Sequence, residues 1–330
     1  MSAVTNHYLD IRSYRDQRIG ELPLTSAVLN ERHDDIMLRT IHKSMELHSS
    51  IYGPPPSPFC FFLMGSAGRK EQGVWSDQDH GIIYDSSSDE TKLYFVSLGE
   101  EISAGLAVTG YKLCDGKVMA SNPFWCRSRK EWMEQAEEWT NDQSWESIRH
   151  LLTFLDGRCL IGEEAYLMEI KSAAYRFIHH KRLISRMMEN TKHVKKAVNM
   201  LGQFLAETHG AYSGLLNIKE TGLFPYINAG RILAISENLM ETSTAMRLKA
   251  LPSSILSEER KKSISEQFIR LQDYRIQFGN HKDYESGHYL FIDRLTKAER
   301  KELKELIKDG QLLNEYVRKF AERKEYDGDE

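Results

Sequence analysis

Asp77 and Asp79 flank a single glutamine, and the polar segment upstream of them opens with Gly65-Ser66-Ala67-Gly68-Arg69. In extended chain, positions i and i+2 point to the same side. Two carboxylates held that close repel each other unless a cation sits between them. Hard oxygen donors suit Mg²⁺, with Mn²⁺ as the second candidate. A glycine that ends a strand lets backbone N–H groups approach phosphate oxygens, and a helix starting there adds the positive end of its dipole. Gly65 and Ser66 fit that position, and Arg69 is near enough in sequence to reach a phosphate oxygen. The chemistry these residues suit is phosphoryl or nucleotidyl transfer, in which a protein holds a triphosphate and its metal and does little covalent work.

An isolated D-x-D pair is weak evidence, because most are solvated loop acids. The order of the surrounding elements strengthens it. The run Phe59-Cys60-Phe61-Phe62-Leu63-Met64 is apolar, aromatic-rich and bounded by Pro58 and Gly65, which predicts a buried strand. Room for a turn or two of helix follows, and His80-Gly81-Ile82-Ile83-Tyr84 predicts a second strand directly after the acids. Upstream, residues 1–50 read as helical and Gly53-Pro54-Pro55-Pro56-Ser57-Pro58 stops them. Downstream, Asp89–Leu106 predicts a helix, Lys117–Ala120 a short strand, and Ser128–Trp139 a helix with Ser128 and Glu131 at capping-box spacing. Ile148–Leu155 reads as a further strand ending at Asp156. From about Glu163 helical spacing dominates: Ala173–Met188, Val194–Thr208, Ile227–Leu239, Glu258–Phe278 and Lys297–Phe320, the last open to interruption at Asp309-Gly310. The polar tail from Glu325 to Glu330 is expected to fray. The expected organisation is an N-terminal helical segment (1–52), an α+β domain with a small mixed sheet (53–162) and an all-α bundle (163–330).

Composition narrows the function classes. The chain has 330 residues, 28% of them charged, and a formal net charge of -4, so no strong positive field draws nucleic acid to it and none is expected as a partner. No apolar run is long enough to span a bilayer, and the first residues lack the basic-then-apolar order of a signal peptide. Cys60, Cys114, Cys126 and Cys159 form no C-x-x-C pair, which suits reduced thiols in a cytoplasmic protein. There is no Walker A loop and no H-E-x-x-H. His179 and His180 are adjacent, so a helix would point them in different directions.

The segment Gly65-Ser66-x-Gly68-Arg69-x-Glu71-Gln72 followed by Asp77-Gln78-Asp79 resembles the nucleotidyltransferase family once classed as a domain of unknown function. That family is related to protein-PII uridylyltransferases and glutamine-synthetase adenylyltransferases within the polymerase-β-like superfamily. Gly116–Pro123 with Trp125, Asp156-x-Arg158, and Asn217-Ile218-Lys219 with Gly222, Pro225 and Arg231 extend the likeness over roughly residues 30–325. The resemblance implies a nucleoside triphosphate substrate, Mg²⁺ on Asp77 and Asp79, and phosphates at Gly65 and Ser66; Arg69 and Lys219 are further nucleotide-binding candidates. It also implies a third acid, for which Asp156 is the candidate and Asp115 the second choice. The acceptor it suggests is a hydroxyl on a protein or a small molecule, with pyrophosphate released. A nucleotide-sensing signalling module that binds without transfer would use the same residues.

Overall fold

The computed structural model describes residues 7–21, 25–191 and 194–326. The chain divides into two compact units: residues 1–142 with 150–174, and residues 143–149 with 175–330.

The first unit begins with helices α1 (Leu9–Gly20) and α2 (Ser26–Tyr52). Thr25 caps α2 through the N–H of Val28, and Gly53, at φ 82, takes the chain out of the helix into the proline run. The buried face of α2 follows helical spacing: Leu29, His33, Ile36, Met37, Thr40, Ile41 and Ser44. The sheet has four strands in the order β5-β3-β1-β6. They are β1 (Phe59–Leu63), β3 (His80–Tyr84), β5 (Cys126–Ser128) and β6 (Arg158–Gly162). Strand β1 pairs antiparallel with β3 and β6, and β3 pairs parallel with β5, so the sheet is mixed. Every residue of β1 and β3 is buried, as the unbroken apolar runs predict for central strands. A separate parallel ribbon joins β2 (Asp77–Gln78) to β4 (Lys112–Leu113).

Helices α3 (Gly65–Gly68), α4 (Asp89–Thr109), α5 (Arg129–Asp142), α6 (Trp145–Leu155) and α7 (Glu164–His180) complete the elements up to residue 180. The capping box is present at α5: the Ser128 N–H donates to Glu131 Oε2 at 2.9 Å, and the Glu131 N–H donates to Ser128 Oγ at 3.3 Å. Trp132 anchors this helix to the sheet by donating its indole N–H to the Ile82 carbonyl at 2.9 Å, and its ring stacks on Phe154.

Two strand expectations before residue 163 fail. Ile148–Leu155 lies in a helix, whose spacing puts the buried apolar residues Ile148, Leu151, Leu152 and Leu155 on one face. The strand comes later, at Arg158–Gly162. Lys117–Ala120 forms no strand either. Lys117 has φ 53 and closes a turn on the Cys114 carbonyl, and Val118 reaches the sheet only through its carbonyl, which accepts the His80 N–H.

In the second unit, α8 (Ile184–Glu189) is followed by α9 (Phe224–Ser236), α10 (Thr244–Ala250), α11 (Glu258–Phe278) and α12 (Lys297–Tyr326). A two-stranded ribbon, β7 (Leu216–Asn217) with β8 (Tyr289–Leu290), is added to the expected bundle. Val194–Thr208 is not helical. The Asn199 side chain accepts the N–H groups of Leu201 and Gln203, and Gly202 at φ 72 turns the chain, so local polar bonds replace the helical ladder. Asp309-Gly310 does not interrupt α12. A Cβ on Gly310 would stand 2.3 Å from the Tyr226 ring, so this glycine serves close packing rather than a break. The tail expected to fray ends in residues 327–330, outside the described residues. No described helix is long and apolar enough to cross a membrane.

Candidate active site

The bend after β1 and the two acids form one steric unit. Gly65 has φ +54, and a Cβ added there would meet Asp79 Oδ2 at 2.1 Å. Only glycine gives both the left-handed backbone and the space for that carboxylate. The Met64 N–H donates to the Asp79 carbonyl at 2.8 Å, fastening the end of β1 beside the acidic segment. The single turn Gly65–Gly68 follows, and its first i→i−4 bond runs from the Gly68 N–H to Met64 at 2.8 Å. The amides of Gly65, Ser66 and Ala67 therefore precede the ladder, as first-turn amides do. Gly65 and Ser66 are half-buried, where a ligand can reach them.

Gln78, between the acids, shows why they share a side. It is fully buried and donates its amide to the carbonyls of Ser103 and Tyr111, each at 3.2 Å. Its Oε1 accepts from His80 Nε2 at 3.0 Å, because His80 Nδ1 already accepts the Ala120 N–H at 3.1 Å. Burial pushes the His80 pKa down to about 3, so the ring is neutral. With Gln78 anchored inward, strand alternation turns Asp77 and Asp79 the other way, and both are half-buried.

A third donor stands beside them. Ligand atoms of Asp77, Asp79 and Cys114 all lie within 4.8 Å of one another. The ribbon explains the placement: Asp77 pairs with Lys112 and Gln78 with Leu113, which brings residue 114 level with residue 79. Burial and the neighbouring Asp79 carboxylate, to which the Cys114 thiol donates, push its pKa up to about 12. In the sequence Cys114 stands only as one of four thiols, because it is far from the acids along the chain and the two-residue β4 carries no recognisable pattern. All four cysteines are free. The two carboxylates fit a hard divalent cation, and the glycine cradle leaves room for their arrangement.

Asp156 and Asp115 are not among these grouped ligands. Asp156 does not end a strand; it follows α6, is fully buried, and accepts a bond of 2.5 Å from Arg69. Arg69 also donates to Glu71 at 2.7 Å and is itself buried. Burial alone would lower the Arg69 pKa, but the Asp156 and Glu71 carboxylates outweigh it and raise it. Arg69 and Asp156 thus satisfy each other inside the protein, and Asp156 is not in the Asp77–Asp79–Cys114 group. Arg158 supports the same turn by donating to the Ala67 carbonyl at 3.1 Å and pairing with Asp34. Asp115 is exposed and paired with Lys112 at 2.9 Å. Lys219 belongs to the second unit, where its Nζ lies 3.0 Å from His288 Nε2.

Two family models match the chain. One, described as Putative nucleotidyltransferase DUF294, covers residues 21–146. The other, described as Putative nucleotidyltransferase substrate binding domain, covers residues 181–320. No curated protein matches the chain. The bend, the paired acids and the helical C-terminal region all fall within the matched segments, and the chain belongs to the DUF294 nucleotidyltransferase family.

Proposed function

We propose that this protein transfers a nucleoside monophosphate from a nucleoside triphosphate to an acceptor hydroxyl, releasing pyrophosphate. The observation that supports the reading is the close approach of Gly65 to Asp79, which sets the bend after β1 beside the acidic segment. Asp77 and Asp79 would hold Mg²⁺, or Mn²⁺ in its place, and the bound ion would neutralise charge on the triphosphate. The amides of Gly65 and Ser66, with the Ser66 hydroxyl, would bind phosphate oxygens. Arg69 and Asp156 act as positioning residues: their buried pair fixes the far end of the turn that presents those amides. Lys219 is assigned to the substrate-binding region, which the second family model covers. The acceptor is a hydroxyl on a protein or a small molecule in the cytoplasm.

The test is incubation of the protein and Mg²⁺ with cell lysate and each alpha-labelled triphosphate in turn. Labelled product with at least one triphosphate, lost in Asp79→Asn, supports transfer. Nucleotide binding without label or pyrophosphate release in any combination would instead favour a sensor.

A further inference from the structure

We propose that Cys114 is an inner-sphere ligand of the Asp77–Asp79 cation, so that this site holds a thiophilic divalent ion such as Co²⁺ or Zn²⁺ more tightly than Mg²⁺. The inference rests on the reading of Asp77 and Asp79 as metal ligands and adds the third donor and its consequence.

The geometry supports it on two counts. One ligand atom from each residue lies within 4.8 Å of the other two. Metal–oxygen bonds of about 2.0–2.2 Å and a metal–sulfur bond of about 2.3 Å place neighbouring donors roughly 3–4 Å apart, so small side-chain rotations close the set. The donors also come from two segments locked together by the β2–β4 ribbon, with Asp77 opposite Lys112 and Gln78 opposite Leu113. The sulfur is therefore held at the acids by backbone pairing, and the turn closed by the Lys117 N–H on the Cys114 carbonyl at 2.9 Å fixes the chain just beyond it.

The donor chemistry then decides the ion. Two carboxylates alone suit hard ions such as Mg²⁺ and Mn²⁺. A thiolate shifts the balance toward softer ions, and Co²⁺ and Zn²⁺ also bind mixed sites more tightly by the general affinity order of first-row metals. On binding, the S–H bond of Cys114 breaks, a sulfur–metal bond forms, and the proton passes to solvent. Such an ion would compete with Mg²⁺ for the same two carboxylates and make the transfer reaction sensitive to free zinc.

The experiment titrates Co²⁺ into the full chain and follows near-ultraviolet absorption for a thiolate-to-cobalt charge-transfer band, with calorimetry for Co²⁺ and Mg²⁺ in parallel. The expected result is a band saturating at one ion per chain, and Co²⁺ affinity at least about tenfold above Mg²⁺. Cys114→Ser should abolish the band and narrow the gap between the two affinities, while still binding both ions. Cys114→Ala, checked by circular dichroism, guards against a folding defect in the serine variant. Co²⁺ binding that is lost in Asp79→Asn but gives no band in the native chain would overturn the role of Cys114 and leave the carboxylate reading intact. A native chain that binds neither ion would overturn both. A band that survives Cys114→Ser would assign it to another thiol and also refute the inference.

Discussion

One turn of helix, Gly65–Gly68, stands between two acid clusters that meet different ends. At its first glycine, a missing Cβ makes room for the Asp79 side chain at 2.1 Å; at its last, a missing Cβ makes room for the Asp156 carbonyl at 2.3 Å. Asp156 is sealed in and neutralised by Arg69, which Glu71 also holds. Asp77 and Asp79 stay half-buried beside a thiol, on the side of the segment opposite the buried Gln78. Two sets of carboxylates so close together are told apart by their partners. A carboxylate with a buried guanidinium holds the frame, and a carboxylate grouped with other donors is available to a cation.

Substitutions sharpen that contrast. The largest effect expected is on stability: Asp156→Asn removes a buried partner of Arg69 and should cost about 3 kcal/mol or more in a urea titration, without moving Mg²⁺ affinity. If Asp156 were a metal ligand, the variant would keep its stability and lose the ion. Asp79→Asn should do the reverse, lowering the rate of label transfer about 100-fold, equivalent to about 2.7 kcal/mol. Its urea midpoint should be nearly unchanged, since the group is half-buried.

His80 tests the scaffold behind the acids. Its pKa falls from 6.5 to about 3 on folding, so below pH 6.5 unfolded chains bind a proton that folded ones refuse. That contribution leaves stability unaffected above this range and removes up to about 1.4 kcal/mol per pH unit as pH falls through it. His80→Gln should flatten the fall by that amount between pH 6 and 4; parallel curves for the two proteins would show that the histidine is not neutral when folded. The smallest effect lies away from both clusters. Ser128→Ala removes one half of the α5 capping box and should lower stability by about 1 kcal/mol in thermal melts, with transfer and metal affinity unchanged.

Local pattern was enough for much of this. The strand at Phe59–Leu63, the glycine bend, the paired acids and the Ser128–Glu131 box all depend on neighbours in sequence. What escaped depends on distant partners. Trp145–Leu155 is amphipathic over too few residues to separate a helix from a strand until its buried face has something to cover. Arg69 looked like a phosphate ligand because nothing near it in sequence revealed Asp156 as its buried partner. Cys114 joined the acids only through a two-residue ribbon, which is too short to leave a periodic trace.

The bend at Gly65 also limits how this protein can change. Any other residue at that position needs a strained backbone and takes the volume now filled by Asp79 Oδ2. A library randomised at position 65 and selected for folding and transfer should therefore return glycine alone, whereas the neighbouring Ser66, with no such constraint on its backbone, should accept other residues.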